Sequence, residues 1–203
     1  GASHHDIEGH AARPGPVVEM AALGAIPGGL GIVVGGEIPY TAAARAQQQE
    51  NMEYWLDRDP AAKCYMPGVP RANYMPFPFQ IIQGTGKIII AYPFAAATRL
   101  IHMEDVGGSP VDTWMGWSRG RWEGDTLVVD VTDFNGKNWF DRAGNFHSEA
   151  LRLEERFTPI SPDAIQYEVT IEDSNVFTRP WRISMPLYRR LESNMQLLEY
   201  RCI

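Results

Sequence analysis

The sequence predicts an all-β fold, mainly antiparallel: an up-and-down β-barrel or a strongly curved sheet, with one N-terminal helix and an extended N-terminal arm. Three observations predict it. From Phe79 onward, apolar residues recur at every second position. These runs follow one another through short turns, without the strand–helix–strand alternation of a parallel sheet. Fifteen Pro and 19 Gly in a chain of 203 residues leave room for few long helices.

The opening residues 1–10, GASHHDIEGH, join two adjacent histidines to an I-E-G segment. They look like a cloning remnant and are set aside from the fold. Residues 11–40 are expected to form an extended arm, because Pro14, Pro16, Pro27, Pro39 and repeated glycines break any regular period. The GGLGIVVGG stretch within it has neither the spacing nor the following helix of a dinucleotide-binding turn.

A single domain then spans 41–203, beginning with a helix over 41–59. Thr41 caps it, the Ala- and Gln-rich run to Glu50 favours it, and Pro60 ends it. Met52, Trp55 and Leu56 share a face and are expected to dock it. Cys64 to Phe79, with Pro67, Pro70, Pro76 and Pro78, reads as an irregular connection. Hairpins follow: Phe79 to Gln83 with Lys87 to Phe94, then Thr98 to Met103, then Trp117 to Trp122 with Thr126 to Val131. Ala150 to Phe157, Ala164 to Glu172, Trp181 to Tyr188 and Gln196 to Cys202 complete about nine strands in chain order. A barrel of that size holds side chains or one small ligand.

A formal net charge of −7 without a basic tract argues against a nucleic-acid partner. No apolar run approaches the roughly 18–20 residues of a membrane span. Cys64 and Cys202 invite a disulfide tying the last strand to the segment after the helix; two unpaired, buried thiols are the alternative. A bridge implies an oxidising, secreted or periplasmic home.

Candidate chemistry concentrates in few places. Gly116-Trp117-Ser118-Arg119-Gly120 matches G-x-S-x-G, but a β-turn and a strand follow where a nucleophile elbow needs a helix, so the match is discounted. The loop from Asn135 to Glu149, NGKNWFDRAGNFHSE, packs Trp139, Asp141, Arg142 and His147 into one connection. His147 is the natural general acid or base, with Asp141 or Glu149 to orient it; the alternative is that these groups only pin the loop. Glu155 takes an apolar-face position in the Leu151, Leu153, Glu155, Phe157 series, and Arg99, in line with Ile101 and Met103, is its candidate counter-ion. Arg71, Tyr74, Arg99, Trp139 and Glu155 are the candidate substrate-binding residues. Outside the first ten residues only His102 and His147 remain as imidazoles, so neither a metal nor another cofactor is expected. Asn135 to Glu149 and Cys64 to Phe79 are expected to close one end of the barrel, with any site between them.

Several blocks resemble a widespread group of exported bacterial proteins with no established activity. They are Asp59-Pro60 with Cys64, Pro67-Gly68 with Pro70-Arg71, Gly120-Arg121-Trp122-Glu123-Gly124-Asp125-Thr126-Leu127, His147-Ser148-Glu149, Glu155-Arg156, and Glu199-Tyr200 with Cys202. The resemblance covers most of the chain and implies export and a common fold, but no reaction. The turn block also looks like the short hairpins of lipocalin or calycin barrels, which is an analogy of fold only.

The leading expectation is an exported barrel enzyme acting on a small organic or carbohydrate-like molecule by acid–base chemistry. Elimination, isomerisation and hydrolysis all fit, and the absence of an evident covalent nucleophile favours the first two. The alternatives are a non-catalytic, lipocalin-like binder of a small molecule and a structural or partner-binding domain. In the last case the glycine-rich arm would reach a neighbouring subunit and make a homo-oligomer.

Overall fold

The computed structural model describes the backbone of residues 7–11 and all of residues 33–200. Eight strands form a strongly curled sheet in chain order. They are β2 (Phe79–Gly84), β3 (Lys87–Ala91), β4 (Thr98–His102), β5 (Trp117–Glu123), β6 (Thr126–Thr132), β7 (Arg152–Ser161), β8 (Ala164–Glu172) and β9 (Trp181–Arg189). A further strand, β1 (Ile7–Ala11), lies between the two edges, pairing with β2 through Gly9–Phe79 and with β9 through Gly9–Arg189, so the strand order closes into a barrel.

The period-two pattern does what it predicts. In β8, Ile165, Tyr167, Val169 and Ile171 are buried while Gln166, Glu168 and Thr170 are half-exposed. In β9, Trp181, Ile183, Met185 and Leu187 are buried in the same way. Each such aliphatic side chain contributes about 1.5–3 kcal/mol when fully withdrawn from water.

Three expectations are corrected. The segment expected as the last strand, Gln196 to Cys202, is irregular through Tyr200, and the place at the sheet edge goes to Ile7–Ala11, of which all but Ala11 was set aside above as a remnant. An unpaired edge presents a row of N–H and C=O groups that any extended segment within reach will satisfy. Second, β4 and β5 run parallel, through Ile101–Ser118 and His102–Arg119. Residues 103–116 carry the chain back along the barrel between them, which a plain meander does not foresee. Third, the predicted helix 41–59 is two: α1 (Ala42–Glu53), capped by Thr41, and α2 (Trp55–Arg58).

The helix does not dock through Met52 and Leu56, which are 50% and 66% exposed. Its buried residues are Ala44, Gln48 and Asn51. Gln48 donates to the carbonyl of Ala143 at 2.6 Å and Asn51 to that of Gly144 at 3.4 Å. What α1 meets is the exposed backbone of the 135–149 loop, so amide side chains serve it better than apolar ones. Gly144 makes the approach feasible: its φ is +79°, and a Cβ there would sit 2.6 Å from the Gln48 carbonyl oxygen and the Met52 nitrogen. Gly144→Ala should therefore cost about 1–3 kcal/mol from the backbone conformation alone. Urea denaturation checks the size, and faster amide exchange confined to α1 checks the cause.

The described part of the arm lies along its own chain. Val33 pairs with Ile183 and Tyr40 with Phe177, covering the part of β9 that β1 leaves open. Residues 12–32, on which the oligomer expectation rests, lie outside the described residues. Among the described residues no helix is long and apolar enough to cross a membrane.

Candidate functional site

Glu155 and Arg99 meet inside the barrel, as the misplaced charges predict. Both are buried, and they pair through two hydrogen bonds, Arg99 Nη1 to Oε1 at 3.1 Å and Arg99 Nη2 to Oε2. Three further bonds complete the arrangement: Asn73 Nδ2 to Glu155 Oε1 at 3.0 Å, Tyr167 Oη to the same oxygen at 2.7 Å, and Arg99 Nε to Ser118 Oγ at 2.8 Å. Tyr92 in turn donates to Asn73 Oδ1 at 2.7 Å. Burial drives the Tyr92 and Tyr167 phenols well above their ordinary pKa, and Glu155 pushes both the same way, so both hydroxyls remain donors. Burial lowers the pKa of the Arg99 guanidinium, but the Glu155 carboxylate outweighs it and holds the group charged. The pair is thus fully engaged by protein groups, which leaves it structural rather than ligand-binding. Ser118, the central residue of the discounted G-x-S-x-G match, is a buried acceptor within this network.

Arg71 is spent in the same way. It forks onto Asp59 with two bonds of 2.8 Å, and Asp59 also caps the Pro60–Lys63 turn through the Ala61 amide. This places the Arg71–Asn73 turn across the barrel mouth, where Tyr74 donates to the Phe140 carbonyl at 2.8 Å. Asn138 reaches back to the Pro67 carbonyl at 3.1 Å. Gly68, at φ +70°, lies so close that a Cβ would fall 1.6 Å from Asn138 Nδ2. The Pro-rich connection and the 135–149 loop therefore meet at one barrel end.

Within that loop, Trp139 bridges to Phe146, and the Phe140 amide donates to the Asn145 carbonyl at 2.7 Å. Asp141 holds the turn between them. Its Oδ1 accepts from the Ala143 and Asn145 amides and its Oδ2 from Asn145 Nδ2 at 2.7 Å. Arg142 lies over the Trp55 ring at 5.4 Å, tying the turn to α2.

The expected proton relay does not assemble. His147 is buried between the rings of Phe134 and Phe140, at 5.5 and 5.2 Å. Its Nδ1 lies 2.7 Å from the Ser148 carbonyl, so Nδ1 carries the proton, while Nε2 is buried without a hydrogen-bond partner among the described residues. Neither nitrogen bonds Asp141 or Glu149, and Glu149 is exposed. Burial lowers the His147 pKa to about 4, against weaker opposition from the Ser148 carbonyl and Asp173. An imidazole buried between two aromatic rings and held neutral is poorly placed to exchange protons with a substrate. Sequence reasoning missed its neighbour Asp173, which accepts from Ser148 N at 2.6 Å and Ser148 Oγ at 2.9 Å and so fastens the loop to the β8–β9 connection. An Asp that ends a strand gives no sequence signal of a partner 25 residues away.

Open space lies elsewhere. A cleft of about 760 Å³ runs between the tail after β9 and the residues flanking β2 and β3. Phe77, Pro78, Pro93 and Tyr200 give it apolar walls, and Asn194 and Gln196 place amides in it. The Tyr200 ring rests on Phe77 at 4.7 Å and on Phe94 at 5.3 Å. Glu192 takes the Arg190 guanidinium in a bond of 2.7 Å beside them. The sequence points to Tyr200 only through a resemblance block and to none of these residues as a site, because the tail reads as a strand. Compared with known families, with curated proteins and with solved structures, the chain finds no match.

Proposed function

We propose that this protein is an exported, non-catalytic barrel that binds a small, hydroxyl-rich organic molecule in the cleft beside its C-terminal tail. The observation that carries the reading is the cleft itself. Its volume of about 760 Å³ lies in the range of small-molecule sites. Its aromatic walls offer flat apolar faces, and the amides of Asn194 and Gln196 offer donors and acceptors to hydroxyls. The leading expectation of an enzyme loses support because His147, Asp141, Arg71, Arg99 and Glu155 are all committed to protein contacts.

Export rests on the resemblance described above and on a Cys64–Cys202 bridge. Cys202 lies outside the described residues. Tyr200, two positions earlier, stacks on Phe94, which packs with Ala61, three positions before Cys64. A bridge there would hold the tail that walls the cleft.

Calorimetric titration with a panel of neutral mono- and disaccharides and polyols tests the reading. One class should bind, and Phe77→Ala and Tyr200→Ala should each weaken it about tenfold, the loss expected of a central aromatic contact. His147→Phe should leave that affinity intact. Equal binding by both cleft variants, or no heat from any class, refutes the site; loss of binding in His147→Phe returns the argument to the loop.

A further inference from the structure

A second, smaller pocket, of about 350 Å³, lies on the rim formed by the start of β7 and the β8–β9 connection. It shares no residue with the tail cleft. Arg152 and Arg179 both line it, with Glu172, Ser174, Phe177 and Pro180.

Surface arginines of the chain fall into two groups, those held by a carboxylate and those, such as Arg119, Arg152 and Arg179, that hold none among the described residues. Arg58, Arg121, Arg156 and Arg190 each hold a carboxylate within 4 Å. Among the described residues Arg152 and Arg179 hold none, and the one hydrogen bond of Arg179 is a 3.5 Å contact to the neighbouring Pro180 carbonyl. Arg152 faces Glu172 across the β7–β8 ladder without closing an ion pair. The other carboxylate of the pocket, Asp173, is already met by three donors: Ser148 N, Ser148 Oγ and, at 3.0 Å, Asn175 N. Two arginines without a carboxylate partner among the described residues line this one pocket, and a pair of guanidinium groups suits an oxyanion. Glu172 and the Ser174 hydroxyl then remain to take hydroxyl groups, and Phe177 and Pro180 supply an apolar surface.

We propose that this pocket binds an acidic sugar unit, its carboxylate or sulfate held between Arg152 and Arg179 and its hydroxyls facing Glu172 and Ser174. The two anions share one chemistry, and the ligands tested tell them apart. Titrations with glucuronate, glucose 6-sulfate and neutral glucose should show binding of at least one acid that depends on Arg152 and Arg179, whereas any glucose bound in the tail cleft should not depend on them. Binding of only one acid supports the site and fixes the anion. Arg152→Gln and Arg179→Gln should each weaken binding at least fivefold, and rising salt should weaken it in the parent protein. Both side chains are exposed, so the variants keep their fold, and Arg119→Gln, an exposed arginine away from the pocket, serves as the control. Glucose binding that the two pocket variants weaken as much as acid binding, unchanged acid affinity in both variants, or an equal loss in Arg119→Gln overturns the proposal.

Discussion

Glu155→Gln should destabilise the protein by about 3–5 kcal/mol, the cost of leaving a buried charge without its counter-ion. The substitution keeps the shape of the side chain and one acceptor oxygen. It removes the negative charge and turns an amide donor toward the Arg99 fork, which in the parent chain gives both Nη groups to Glu155. Arg99 has no second carboxylate among its described partners; Ser118 Oγ takes only its Nε. Urea unfolding followed by tryptophan fluorescence reads the loss as a lower midpoint at unchanged slope. A loss below about 1 kcal/mol, the worth of one ordinary hydrogen bond, would mean that the pair is not the keystone described here.

Replacing both partners by apolar residues, Arg99→Met with Glu155→Leu, separates two accounts of that cost. A buried ion pair standing alone is often replaced without penalty. Here Tyr167 and Asn73 aim donors at Glu155. The double replacement strands both, at about 1–3 kcal/mol for each buried group left unmade. The double variant should therefore stay well below the parent. Full recovery would show that these neutral groups find other partners.

The same pair shows what the sequence makes legible. In a pattern of period two, a Glu among Leu151, Leu153 and Phe157 and an Arg in line with Ile101 break a local rule, and the breach is visible without coordinates. The alternation of β8 and β9 is legible for the same reason. Other features depend on surfaces that a linear pattern does not contain. The apolar face of α1 points away from the body because the surface beneath it is the loop backbone at Ala143 and Gly144, which calls for Gln48 and Asn51. The parallel β4–β5 pairing depends on the path of residues 103–116, and the closing strand depends on which segment reaches the edge first. At the loop, Asp141 and His147 have the residue types of a catalytic pair. The same types also make turn pins, and only the Ala143, Asn145 and Ser148 contacts decide between the two.

His147 turns that decision into a pH dependence. The folded protein holds it at about 4, through burial first, whereas an unfolded imidazole titrates near 6.5. Above pH 6.5 it is neutral in both states and adds no pH dependence. Between 6.5 and 4 the unfolded chain takes up a proton that the folded chain refuses, so stability falls as pH drops through this window. Below 4 both states are protonated and the loss is complete, about 3 kcal/mol at 1.36 kcal/mol per pKa unit. His147→Phe keeps the packing on Phe134 and Phe140 and removes the titration. It also leaves the Ser148 carbonyl without its Nδ1 donor, which should cost about 1 kcal/mol at pH 7. The variant should thus be less stable than the parent at neutral pH and more stable at pH 4, with the two curves crossing between. Carboxylates are common to both proteins, so the difference between the two stability curves isolates the imidazole. Parallel curves across pH 4 to 7 would mean that the ring takes up its proton in the folded state at the same pH as in the unfolded chain. A solvent-connected imidazole would then revive the acid–base chemistry that burial now argues against.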